Sequence, residues 1–276
     1  MIKVIDVDKL FDKYIEQFVY SNIGKLKPEE IENKIPELYD SFGDQKLEEL
    51  DNLSPNEYYK NAGANELLEC LKGHVQSDIS VPDFLCEAIV NNEKNEDALV
   101  KCLKEDEDEQ FMLYLMNMLG EMKSKKAFSR YLELIIDDYS ESIRELATEL
   151  LREGVEVVKE EILQVFPDTL GAKRACLVEV LSYAKWDDRI FKILTDEFIE
   201  NLDNIPLYVG YLAKYGDDRA IDLIEEVMKN EKIKYADFEE LRFALEALGG
   251  EFKGKTPDFT KDATYKKIFG QDKVTD

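Results

Sequence analysis

The chain has 276 residues, 44% of them hydrophobic, enough to bury a sizeable core and to argue against wholesale disorder. Its 61 Asp and Glu stand against 36 Lys and Arg, a net charge of −25. Such a surface repels nucleic-acid phosphates and anionic lipid headgroups and favours basic partners or cations. With 13 glycines and 7 prolines, the composition suits long helices joined by short turns better than a many-stranded sheet.

From the N-terminus, MIKVIDVDKLFDKYI mixes acids among its apolar residues and lacks signal-peptide character. Helices are expected at 7–21, at 28–42 behind the start signal Lys27-Pro28-Glu29-Glu30, and at 64–73 behind Gly63. Leu53 to Asn61, LSPNEYYKN, reads as a loop leading into a short helix. Residues 1–77 are expected to form an irregular helical cap on the open end of a stack, because end repeats are atypical. From Asp78 to about Gly249, amphipathic helices follow one another between turn signals such as Gly120, Gly154, Pro167, Trp186-Asp187-Asp188 and Gly216-Asp217-Asp218. No stretch approaches the roughly 18 apolar residues of a membrane helix. After Gly249 the character changes. Residues 251–276 carry six lysines and five acids, and ATYKKIFG, Ala263 to Gly270, has the length of two helical turns.

The helices repeat. Small or β-branched residues opening the second helix of each pair, Ala98, Ala127, Val158, Ile190 and Ala220, are spaced by 29, 31, 32 and 30. A period near 30 is the signature of a helical solenoid, in which each pair buries its apolar face only by stacking on its neighbours. The clearest copies run from Leu181 to Leu194 and from Leu212 to Ile224, with Asp187-Asp188-Arg189 and Asp217-Asp218-Arg219 placed 30 apart. LAKYGDDRAIDLIEEVM resembles the short HEAT repeats first associated with phycobilisome-lyase proteins. SESIRELATELL, Ser140 to Leu151, resembles the first helix of that family, with Arg144, Arg174 and Arg242 near equivalent places. The resemblance covers residues 80–250 or so and implies an all-α, α-α superhelix, a HEAT/armadillo-like solenoid of stacked helix pairs; Pro206 and Tyr208 depart from its pattern. The expected organisation is a cap over 1–77, an array over 78–250 and a tail over 251–276, in one continuous domain. Physically, each Asp pair opens a second helix and accepts its orphan N–H groups, and the following Arg reaches a neighbouring turn.

Most catalytic chemistry lacks its residues. His74 is the one histidine, so His-rich metal sites are excluded and any His-dependent triad rests on it alone. It is expected as a helix-terminating residue after Gly73. Phosphate-loop, dinucleotide, nucleophile-elbow and HExxH motifs are absent. The run Glu105-Asp106-Glu107-Asp108-Glu109 lacks the central glycine and twelfth-position glutamate of an EF-hand and reads as a turn between helices. Some HEAT-like proteins excise alkylated bases from DNA, but this chain has no Lys/Arg stripe to hold phosphates. Cys70, Cys86, Cys102 and Cys176 lie far apart in apolar patterns, which points to buried thiols and a reducing, cytoplasmic location.

In a HEAT-like stack the second helices line the inner, concave face. Two and six positions beyond each repeat anchor, the chain reads Ser129 and Glu133, Glu160 and Gln164, Lys192 and Asp196, Asp222 and Glu226. A negative groove carrying Glu133, Glu160, Asp196, Asp222 and Glu226 is therefore expected, with Tyr183 and Tyr215 as candidate apolar anchors. The expected function is a non-enzymatic protein–protein interaction scaffold for a basic partner, with no cofactor, metal, nucleic acid or membrane. The alternative is an enzyme or small-ligand protein with a pocket between the N-terminal helices and the repeats, near Tyr58, Tyr59 and His74.

Overall fold

The structure, a computed structural model, describes residues 2–270. Among the described residues it is all-α, without a strand; one isolated bridge joins Leu47 to Leu53. The chain divides into two compact units, the first ending at Arg130 and the second starting at Tyr131.

The first unit contains α1 (Val7–Asn22), α2 (Pro28–Glu32), α3 (Ile35–Gly43), α4 (Pro55–Lys60), α5 (Ala64–Gln76), α6 (Asp83–Val90), α7 (Glu96–Glu105) and α8 (Glu109–Glu121). The single helix expected over 28–42 is two helices. Pro36 has no N–H to give and its ring collides with the carbonyl four residues back, so α2 stops at Glu32 and the chain restarts at Ile35. The expected stop at Gly73 is also corrected: α5 continues through it. A Cβ at Gly73 would collide with Val4, so this glycine allows the N-terminal segment to lie against the helix. Helices α4 and α5 pack on α6, and α5 also on α7 and α8, so the N-terminal helices share one core with the first helix pair of the predicted array.

Helix α9 (Phe128–Ile136) crosses the division, and the second unit continues with α10 (Glu141–Arg152), α11 (Val155–Val165), α12 (Gly171–Leu181), α13 (Asp188–Glu200), α14 (Ile205–Tyr215), α15 (Ile221–Met228), α16 (Tyr235–Ala247) and α17 (Ala263–Phe269). Apolar residues four apart make each buried face, as in Ile143, Ala147 and Leu151 on α10 or Ile190, Leu194 and Phe198 on α13. Ser140, Asp187 and Asp217 accept backbone N–H groups at helix starts, and Gly216, at φ 77°, closes α14 in the left-handed conformation. Of the five repeat anchors, Ala127, Val158, Ile190 and Ala220 are buried at the start of alternate helices, and Ala98 is half-buried in α7.

Within the second unit, α10 packs on α12 and α14 on α16, and α12 and α14 are joined through α13, which packs on both. The second helices α11, α13 and α15 pack on first helices and less closely on one another. The acidic positions stand on the exposed sides of these second helices. The tail covers the end of the array: Phe252 and Phe259 meet Phe238, while Tyr265 and Phe269 meet Tyr235. The last part of the expected tail, residues 271–276, lies outside the described residues.

Candidate functional site

The expected acidic positions all reach solvent: Glu133 on α9, Glu160 on α11, Asp196 on α13, and Asp222 and Glu226 on α15. Several are partly neutralised within the chain. Glu160 receives both arms of Arg189 at 2.9 and 2.7 Å, Lys192 holds Asp196 at 2.6 Å, and Lys229 holds Glu226 at 3.0 Å. Asp222 makes no ion pair among the described residues.

These pairs belong to a device that repeats with the turns. Asp187 accepts from the backbone N–H and Nε of Arg189, and the rest of that guanidinium spans to Glu160 one repeat earlier. Asp217 does the same with Arg219, whose Nη1 donates to Asp188 at 2.8 Å, again one repeat back. The Arg189 hydrogen bond holds the Asp187 carboxyl down to about 2, so it stays ionised at any physiological pH. Trp186 donates from Nε1 to the Tyr215 carbonyl, and the Tyr215 hydroxyl accepts from the Asp187 N–H at 2.5 Å. The Asp-Asp-Arg turns thus cap helices and tie neighbouring repeats. Tyr215 is committed to that task, while Tyr183 remains exposed.

A second repeated device lies on the first helices. Arg144 and Arg174, each fourth in its helix, donate to the carbonyl five residues back, Tyr139 and Thr169. Arg174 also lies over the Phe166 ring and binds the buried carboxylate of Glu197 at 2.6 Å, which locks α12 to α13. Arg242 is out of this register: it sits further along α16 and binds Glu239 and Glu246 on its own helix, while Phe238 takes the equivalent place.

The exposed face of the first helices holds residues that the sequence reading missed. Along α10 and its C-cap, Glu141, Glu145, Glu149 and Glu153 recur every fourth residue, all exposed, and none makes an ion pair among the described residues. The two cations of that helix are engaged elsewhere, Arg144 at the Tyr139 carbonyl and Arg152 at Glu179. Beside this stripe a cleft of about 450 Å³ opens between α10 and α12, walled by Ser142, Glu145, Thr148, Glu149, Cys176 and Glu179. Glu179 also accepts from the Tyr211 hydroxyl of α14. Arg152 and Lys214 both stand over the Tyr183 ring, at 5.6 and 4.3 Å from its centroid. One polar and aromatic network therefore runs across α10, α12 and α14. Its signal was legible: four glutamates spaced by four, without a lysine at the same spacing.

The residues named for an enzymatic alternative are all interior. Tyr58, Tyr59 and His74 are buried, and none of them lines the cleft of about 560 Å³ beside α4 and α6 in the first unit. His74 donates from Nδ1 to the Ser80 carbonyl at 2.7 Å, and its Nε2 is buried without a partner. Burial lowers its pKa from the ordinary 6.5, so the ring is neutral at pH 7. The Glu105–Glu109 run is a turn whose Asp108 caps α8 and whose Asp106 pairs with Lys72. Among the described residues no group of three or more His, Cys, Asp or Glu side chains is placed to hold a metal. Burial pushes the Cys70 and Cys86 thiols up to about 11, which keeps them protonated and unreactive.

No protein-family model matches the chain, and no curated protein is significantly similar to it.

Proposed function

We propose that this protein is a non-enzymatic interaction scaffold, a HEAT-like array of helix pairs whose acidic surface binds a basic protein partner. The observation that carries this reading is the charge: 25 acids in excess, with exposed carboxylates on successive second helices at Glu133, Glu160, Asp196, Asp222 and Glu226. A field of that sign accelerates encounter with cationic partners and rejects nucleic acid and anionic membrane. Among the described residues no helix is long and apolar enough to cross a membrane. Four free cysteines, three of them with raised pKa, suit a reducing compartment, and the cytoplasm is the proposed location.

The test is association with a lysine-rich helical peptide of about 20 residues, followed by stopped-flow fluorescence at increasing salt. The rate should fall steeply with ionic strength, since exposed charges are screened beyond about 8 Å at physiological salt. Reversing Asp222 and Glu226 to Lys should slow association several-fold and leave the circular dichroism spectrum unchanged. A wild-type protein that fails to bind the peptide even at low salt would refute the reading.

A further inference from the structure

Exposed acids on the second helices steer, but affinity needs a seat with apolar contacts. We propose that the seat is the exposed face of α10, α12 and α14, and that it takes one basic amphipathic helix of a partner protein. This rests on the scaffold reading above and goes further, to the place and the form of the ligand.

Three features of that face converge. Leu207 is about 40% exposed and Tyr211 lies one turn beyond it on α14, so apolar surface is available there, while the Tyr183 ring already carries Arg152 and Lys214. The cleft of about 450 Å³ beside α10 gives the face relief, with Cys176 among the residues that line it. The glutamate stripe identifies the occupant. Like charges four apart on a helix repel one another and destabilise it. Elsewhere the chain relieves such crowding with its own cations: Lys192 answers Asp196, Lys229 answers Glu226, and Arg242 answers Glu239 and Glu246. On α10 it does not, and the cations that could reach are held at Tyr139 and Glu179. Carboxylates four residues apart stand about 6 Å apart along the axis, the same rise that separates Lys or Arg side chains four apart on a partner helix. A helix carrying cations at i, i+4 and i+8, with leucines on the adjoining stripe, matches both the acids and the apolar surface. Glu145 and Glu149 would meet its cations over the cleft, and Leu207 and Tyr211 its apolar stripe. An extended basic tail would match the charge but not the repeat of the stripe.

The probe is a synthetic helical peptide with lysine at every fourth position and leucines beside that stripe. A second peptide of the same composition in scrambled order is its control. Affinity for the intact protein is read by isothermal titration calorimetry. The patterned peptide should bind at least about tenfold tighter than the scrambled one, about 1.4 kcal/mol. Glu145→Lys/Glu149→Lys should remove most of that preference. Ser142→Trp, which fills the mouth of the cleft without changing charge at an exposed position, should weaken the patterned peptide too. Asp222→Lys/Glu226→Lys should leave the preference in place. If both peptides bind equally, or the preference survives the α10 substitutions, the seat is elsewhere and the general scaffold reading stands. If neither peptide binds, both proposals fall together.

Discussion

A single residue shows how far local sequence reaches. His74 follows a glycine near the end of an apolar stretch and reads as a terminator, yet it is fully buried because Gly73 admits the N-terminal segment against α5. That contact joins residues about 70 apart in the chain, so no window of sequence around His74 contains it. The consequence is testable through pH. Burial lowers the folded-state pKa of His74, and the ring hydrogen bond to Ser80 and the nearby Asp6 and Asp8 oppose this without reversing it. The unfolded chain therefore binds a proton at higher pH than the folded one. Stability should be constant above about pH 7 and should fall as pH drops below the ordinary histidine value of 6.5. As the chain has one histidine, the interval from about pH 6.5 to 5 isolates this group from ordinary carboxylates. Urea unfolding midpoints should decline over that interval in the wild type and decline less in His74→Gln. A flat profile in the wild type would show that the ring protonates freely in the folded protein.

At the scale of the element, periodicity gave the array and tertiary packing decided its details. The near-30 spacing was legible because anchors such as Val158, Ile190 and Ala220 must be compact where helices meet, and these are buried. That α10 packs on α12 and α14 on α16 was not legible, since it depends on side chains from successive repeats meeting each other. The break at Pro36 was in view, but the apolar spacing of Ile31, Ile35, Leu38 and Phe42 continues across it and hides it. Two substitutions separate the roles of charge in these helices. Glu197, with its side chain only 5% exposed, pairs with Arg174, and Glu197→Ala strands a guanidinium among carbonyl groups. It should cost about 3 kcal/mol in denaturant unfolding, the lower end of the range for breaking a buried pair; a loss below about 1 kcal/mol would mean that the pair is solvated in solution. Glu145→Lys should act in the opposite sense. It removes repulsion with Glu141 and Glu149 and places a lysine four residues after one glutamate and four before the other. Stability should rise by roughly 0.5–1 kcal/mol. A substitution that stabilises the fold while weakening a ligand is what a face kept acidic for binding would show; an unchanged or lowered melting temperature would remove the electrostatic strain on which that argument depends.

For the whole molecule, the sign of the charge was legible from composition, whereas its distribution was not. Sequence register placed Glu133, Glu160, Asp196, Asp222 and Glu226 at the surface, but the pairing of three of them with Arg189, Lys192 and Lys229 depends on side-chain geometry across turns and repeats. The imbalance that remains has a consequence that pairing cannot cancel. Even with every lysine and arginine matched, 25 acids have no basic side chain in the chain to answer them. Their mutual repulsion favours the expanded chain over the compact one. Salt therefore acts on two opposed quantities. Screening weakens exposed bridges such as Arg189–Glu160 and Arg219–Asp188, each worth little in water. It also weakens repulsion that extends over the whole surface, because the screening length drops from about 30 Å at 0.01 M to about 8 Å at 0.15 M. The repulsive sum is larger, since exposed pairs contribute tenths of a kcal/mol and the excess charge interacts over many pairs at once. The melting temperature should accordingly rise between 10 and 150 mM sodium chloride, on the order of a few degrees for a chain of this size. Binding of a basic helix should weaken over the same interval, so one titration would move stability and affinity in opposite directions. A melting temperature that falls with added chloride would mean that ion pairs outweigh repulsion in the folded protein, and the excess charge would then no longer point to a missing cationic partner.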